Sequence, residues 1–182
     1  MNYHDRFYIT DDNNRIAELD SITWALETID YSHHEIHRGS HYFVSGYEIL
    51  GSSATASFFI TTPDSTSWAH MTFTVQGTDK VTLKFCESAS GITGGSSITP
   101  INNDRNSSNT SGLTLLYNAT AVNTGSTIDS YSAGASKRIG NITRDEEIIL
   151  KQNTTYYFQI TSGAASNTIS YKGSWYEHIN RE

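Results

Sequence analysis

Between Tyr31 and Val44 the spacing of apolar residues changes from a three-to-four repeat to a repeat of two, and this switch bounds what the chain can fold into. Upstream, Asp11-Asp12-Asn13-Asn14 offers N-capping oxygens. Ile16, Leu19, Ile22, Thr23, Leu26 and Ile29 then recur as one stripe of a helix would. Thr23, Trp24, Thr28 and Ile29 are mediocre helix formers, so an extended arm that orders against a partner satisfies the same residues. Downstream the pattern reads as β almost to the end. The expected organisation is an N-terminal helical or extended arm over residues 1–37, an all-β antiparallel sandwich over 38–178 and a short tail over 179–182.

The β region can be followed segment by segment. His41-Tyr42-Phe43-Val44 and Tyr47-Glu48-Ile49-Leu50 alternate around Gly46, a glycine in mid-pattern that suggests a bulge or bend. Ala54 to Thr61 is a short apolar run closed by a Pro63-Asp64 turn. From Trp68 to Gln76, the set Trp68, His70, Thr72 and Thr74 separates from Ala69, Met71, Phe73 and Val75 onto opposite faces of a half-buried strand. Gly77-Thr78-Asp79-Lys80 leads into Val81 to Cys86, and so short a connection predicts antiparallel pairing of the two strands it joins. Residues 87–112 form a long polar excursion, of the kind that serves function or lies against a partner. Leu113 to Tyr117, Lys137 to Ile142, Glu147 to Leu150, Thr155 to Thr161 and Thr168 to Trp175 supply further strands. Roughly nine strands at near-regular spacing point to a sandwich or barrel.

Charge and composition exclude some functions. A formal charge of -7, with twelve Lys and Arg scattered along the chain, provides no clustered basic surface for nucleic acid. No run reaches the roughly 20 apolar residues of a membrane span, and Met1-Asn2-Tyr3-His4-Asp5 lacks a signal peptide's basic and apolar regions, so synthesis in a cytoplasm is expected. Cys86 is the only cysteine and falls on a strand, where it reads as packing.

Four of the seven histidines fall at the junction, and His33, His34, Glu35, His37 and His41 are the sharpest chemical candidates. On a helix His33 and His37 lie one turn apart and could share a zinc ion; on a strand His33, Glu35 and His37 share a face. The order His-Glu-Ile-His misses the His-Glu-x-x-His spacing of zinc hydrolases. Structural or interface histidines are therefore the favoured reading, with no metal, cofactor or catalytic residue assigned. Asp145-Glu146-Glu147 reads as a solvated strand start that discourages edge pairing. Trp68, Trp175, Tyr156, Tyr157 and Tyr176 form the pool for a sugar-binding platform, although alternation must turn some of them inward. Five Asn-x-Ser/Thr sites, starting at Asn106, Asn109, Asn118, Asn141 and Asn153, are read as turn chemistry.

Three segments together resemble the head decoration, or cement, proteins of tailed phages: His33 to Tyr42, Ile60 to His70 and Ile101 to Thr110. Ile148 to Tyr157 and Trp175-Tyr176-Glu177 match as well, so the resemblance covers residues 25–177. It implies a jelly-roll-like sandwich, assembly as a homotrimer, and binding to the major capsid protein on the outer capsid surface, with no enzymatic activity. By the same resemblance His33, His34, Glu35, His37, Arg38 and His41 would touch capsid or a sister subunit, and Asn103, Asp104, Arg105 and Asn106 would order a subunit contact. The alternative is a tail or head-fibre module that recognises a host surface glycan.

Overall fold

The computed structural model describes residues 30–135 and 138–179; of the arm expected over residues 1–37, residues 1–29, with the apolar stripe from Ile16 to Ile29, lie outside them. Helix α1 (Tyr31–His37) precedes β1 (His41–Leu50), β2 (Thr55–Thr61), β3 (Ser67–Gly77) and β4 (Val81–Glu87). Five short strands and one longer one follow: β5 (Ser90–Thr93), β6 (Ser96–Ile98), β7 (Ile101–Asn102), β8 (Thr114–Tyr117), β9 (Thr120–Asn123) and β10 (Ser126–Ala133). The chain ends with β11 (Gly140–Leu150), β12 (Thr155–Ser162) and β13 (Asn167–Ile179). Over the described residues the fold is thus all-β with one short helix. Its three antiparallel sheets run β11-β3-β13-β1-β7, β10-β4-β12-β2-β8-β6 and β5-β9, and none of them closes into a barrel.

Side chains from the two larger sheets meet in one core, as the period-two pattern requires. The first sheet contributes Tyr42, Val44, Met71, Phe73, Val75, Ile169 and Trp175, and the second Phe58, Ile60, Leu83, Phe85, Tyr156, Phe158 and Ile160. Phe85 stacks on Phe158 at 4.2 Å between centroids, and Phe73 meets Phe158 edge-on at 5.3 Å. Each such side chain contributes about 1.5–3 kcal/mol by leaving water. A satellite core lies on the outer side of the second sheet, where Phe59, Tyr157 and Cys86 are covered by Ala89, Ala119, Ile92 and Ala121 of the β5–β9 ribbon and its flanks. Cys86 is buried there beside Thr127, in agreement with a packing role.

Several local expectations are corrected. β3 and β4 do not pair, because the connection carries the chain from one sheet to the other. Its polar groups are satisfied by Asn167: Thr78 Oγ1 and the Asp79 amide donate to Asn167 Oδ1, and Asn167 Nδ2 donates to the Lys80 carbonyl. β1 pairs with β13 in unbroken register through Gly46, so there is no bulge. The Tyr171 ring crosses the glycine, and an added Cβ would stand 2.5 Å from Tyr171 Oη, so a larger residue there would displace that ring. Asp145-Glu146-Glu147 does not start a strand; it is the irregularity within β11, between Arg144 and Ile148, where pairing with β3 shifts register. The excursion over 87–112 contains β5, β6 and β7, and β10 is an additional strand with a mainly polar sequence.

Candidate functional site

Helix α1 is only seven residues long and depends on its caps. Asp30 accepts at its side chain from the Ser32 and His33 amides. At the other end the Gly39 amide donates to the Ile36 carbonyl and the Ser40 amide to the Glu35 carbonyl, the paired bonds of a Schellman stop. Gly39 has φ +70°, the left-handed value this stop requires. Its carbonyl then accepts from Tyr42 Oη, Asn102 Nδ2 and Asn109 Nδ2, at 3.2, 2.8 and 3.2 Å. One peptide oxygen therefore ties the helix end, β1 and the Asn-rich loop together.

The loop is itself built on side-chain-to-backbone bonds. The Asp104 amide donates to Asn102 Oδ1 and the Asn106 amide to Asp104 Oδ1, both at 2.9 Å, while Arg105 reaches the Asn102 carbonyl. The Asn103 amide donates to the His41 carbonyl at 2.9 Å, and the Asn103 side-chain amide donates to His41 Nδ1. At the far end of the loop, Glu177 accepts from the Gly112 amide and from Trp175 Nε1, both at 2.9 Å, and from Ser111 Oγ. The two segments singled out in the sequence are thus joined at one end of the first sheet.

Within this end the candidate residues divide by depth. Glu35 is fully buried, accepts from Ser40 Oγ and pairs with Arg38 at 3.2 Å and His34 at 3.3 Å. Burial alone would raise its carboxyl, but the Ser40 hydrogen bond, Arg38 and His34 outweigh it and hold the group below its usual range. His41 is also buried, between Asn103 and the Tyr176 ring; desolvation, followed by the Lys172 charge, lowers its pKa. These two side chains position the surface from beneath. His33, His34, His37, Arg38, Arg105 and Asn106 are exposed, with Asn103 and Asp104 partly so. His33 and His37 lie ring against ring, their Nε2 atoms 3.0 Å apart, so the helical alternative holds for this pair; His41 points elsewhere.

A second group on the outer face of the same sheet was not assembled from the sequence. In register across β1, β13 and β3 stand His41, Tyr176 and His70. The β11 irregularity brings Glu147 over this row, where its carboxylate accepts from Tyr176 Oη at 2.7 Å and lies 3.1 Å from His70 Nδ1. Burial, then the bond to Glu147, pushes the Tyr176 hydroxyl well above its ordinary pKa. His178 completes the group, and Tyr31 of α1 caps it edge-on at 5.6 Å from both Tyr176 and His178. The available signal was His70 on the polar face of its strand; Glu147 and His178 come from positions 77 and 108 residues away. No three His, Cys, Asp or Glu side chains among the described residues form a metal-holding group.

The sugar-platform pool is largely turned inward. Trp175 and Tyr156 belong to the core, Tyr157 lies beneath the β5–β9 ribbon, Tyr176 is buried under α1, and Trp68 alone is partly exposed. No protein-family model, no curated protein and no solved structure matches the chain.

Proposed function

We propose that the chain is a virion structural protein that decorates and stabilises the outer surface of a tailed-phage capsid by bridging neighbouring capsomers. The observation that carries this reading is the joined helix and loop end, where exposed His33, His37, Arg38, Arg105 and Asn106 stand on buried Glu35, His41 and Gly39. A surface set in advance from beneath suits a partner of fixed geometry, since little ordering is left to oppose association. The strand order adds support. Numbering the eight long strands β1, β2, β3, β4, β10, β11, β12 and β13 from one to eight, and leaving aside the short edge strands β7, β8 and β6, the larger sheets run 6-3-8-1 and 5-4-7-2. This order is compatible with the jelly-roll-like sandwich that the resemblance implies, an architecture frequent in viral capsid and lectin domains. The step from such a fold to a virion is an analogy, joined to the sequence resemblance.

In this reading the protein acts by mass action, binding the mature shell in preference to its loosened form. Self-association as a homotrimer and contact with the major capsid protein follow from the same resemblance. Particles lacking the protein should lose infectivity at lower temperature than complete ones. Charge introduced at two exposed positions, His33→Glu with Asn106→Glu, should lower occupancy on particles while leaving the circular dichroism of the isolated chain unchanged. Depleted particles with unaltered heat resistance would remove the proposal. The glycan-binding alternative rests on Trp68, and adsorption to host cells that is abolished by Trp68→Ala would favour it instead.

A further inference from the structure

The hydrogen-bond chemistry of His70 and His178 leaves an electrostatic conflict that a cation resolves. His178 Nδ1 lies 2.9 Å from the Ile179 carbonyl, which can only accept, so Nδ1 carries the proton. His70 Nδ1 lies 3.1 Å from Glu147 Oε2 and 3.2 Å from Tyr176 Oη. Tyr176 already donates its hydroxyl proton to the same carboxylate at 2.7 Å, so both neighbours of His70 Nδ1 are acceptors and this nitrogen is protonated too. In the neutral rings both Nε2 atoms therefore carry lone pairs, and they face each other at 2.8 Å. Two nitrogens bound to one ion at about 2.0–2.1 Å stand about 2.9 Å apart at a right-angled site and about 3.3 Å apart at a tetrahedral one.

We propose that His70 and His178 chelate a divalent transition-metal ion of the imidazole-binding class, Zn²⁺ or Cu²⁺, through their Nε2 atoms on the outer face of the first sheet. Glu147 and the Ile179 carbonyl then hold the far nitrogens, the outer-shell arrangement typical of metal-bound histidine. Tyr176 fixes Glu147, and the Tyr31 ring shields one side of His178. No third His, Cys, Asp or Glu joins the pair into a metal-holding group among the described residues. His33 and His37 supply an internal control: their Nε2 atoms are also close, at 3.0 Å, but the pair is exposed and no carboxylate among the described residues bonds its far nitrogens.

The test is a calorimetric titration of the full chain with Zn²⁺, repeated with Cu²⁺. One equivalent should bind in the wild type and in His33→Ala/His37→Ala, with comparable dissociation constants. Binding should disappear in His178→Gln, which lies near the chain end and leaves the core intact, and in His70→Gln. Glu147→Gln, which keeps an acceptor but removes the charge, should weaken binding about 10–100-fold as a positioning effect. Either wild-type binding that survives His178→Gln, or no binding by the folded wild type because a shared proton bridges the rings, would overturn the proposal.

Discussion

At the scale of single residues, Gly39 combines a backbone role with a packing role. Gly39→Ala places a Cβ at φ +70° and against Ser107 Oγ, so it should cost about 1–3 kcal/mol in denaturant unfolding. His41 gives a pH signature. Its folded-state pKa lies below the ordinary 6.5, so its contribution is complete above 6.5 and is lost as pH falls towards the depressed value. Glu35 is likewise lowered, and its contribution disappears only below its ordinary 4.5. Glu48 has the opposite sign: burial raises its carboxyl, so ionisation above 4.5 disfavours the folded state. Unfolding free energy should therefore decline between pH 7 and pH 5.5, and His41→Gln should flatten that decline in a pH series of urea melts. Asp30 and Gly39 stand where capping rules place the two ends of a helix, and could have decided between helix and strand for the histidines. Glu147 could not have been found in this way, because its place depends on an irregularity in a strand far along the chain.

At the scale of elements, the β5–β9 ribbon is a cover whose removal can be read chemically. Gly95 has φ +82°, and a Cβ there would lie 2.7 Å from the Ala119 Cβ, so Gly95→Ala should lift the ribbon from Phe59, Tyr157 and Cys86. Labelling of Cys86 by an aromatic disulfide should then accelerate at least several-fold over the slow wild-type reaction, by increasing local opening. Alternation of His70, Met71 and their neighbours placed β3 and its two faces correctly from the sequence. The pairing of β3 was not legible there, since the side chain that satisfies the β3–β4 connection, Asn167, comes from 88 residues beyond Asp79. β10 escaped notice for another reason: it lies at the edge of its sheet, and of its residues only Tyr131 and Ala133 pack on the core, so Ser126–Ala133 carries little apolar pattern.

At the scale of the whole molecule, the two larger sheets are held by their shared core and by a polar tie. Arg144 of β11 pairs with Asp129 of β10 at 2.6 Å, and Tyr131 Oη donates to the same carboxylate at 2.6 Å. Arg144 Nε is buried and has no hydrogen-bond partner among the described residues, so Asp129→Ala should cost about 1–3 kcal/mol by leaving more of the guanidinium unsatisfied. Phe85→Ala should cost about 3–5 kcal/mol, both measurable in urea melts. These ties join segments that are distant in the chain, which is why composition and period revealed the β class and the core face but not the sheet order. The Gly39 carbonyl works in a similar way at the molecule's end, drawing two side chains of a polar loop and one of a strand onto a single oxygen. A loop anchored by that oxygen surrenders little freedom when something docks on it. If the proposed function holds, weakening the anchor should therefore show up as slower, less favourable capture of the partner, even where every outward-facing side chain is unchanged.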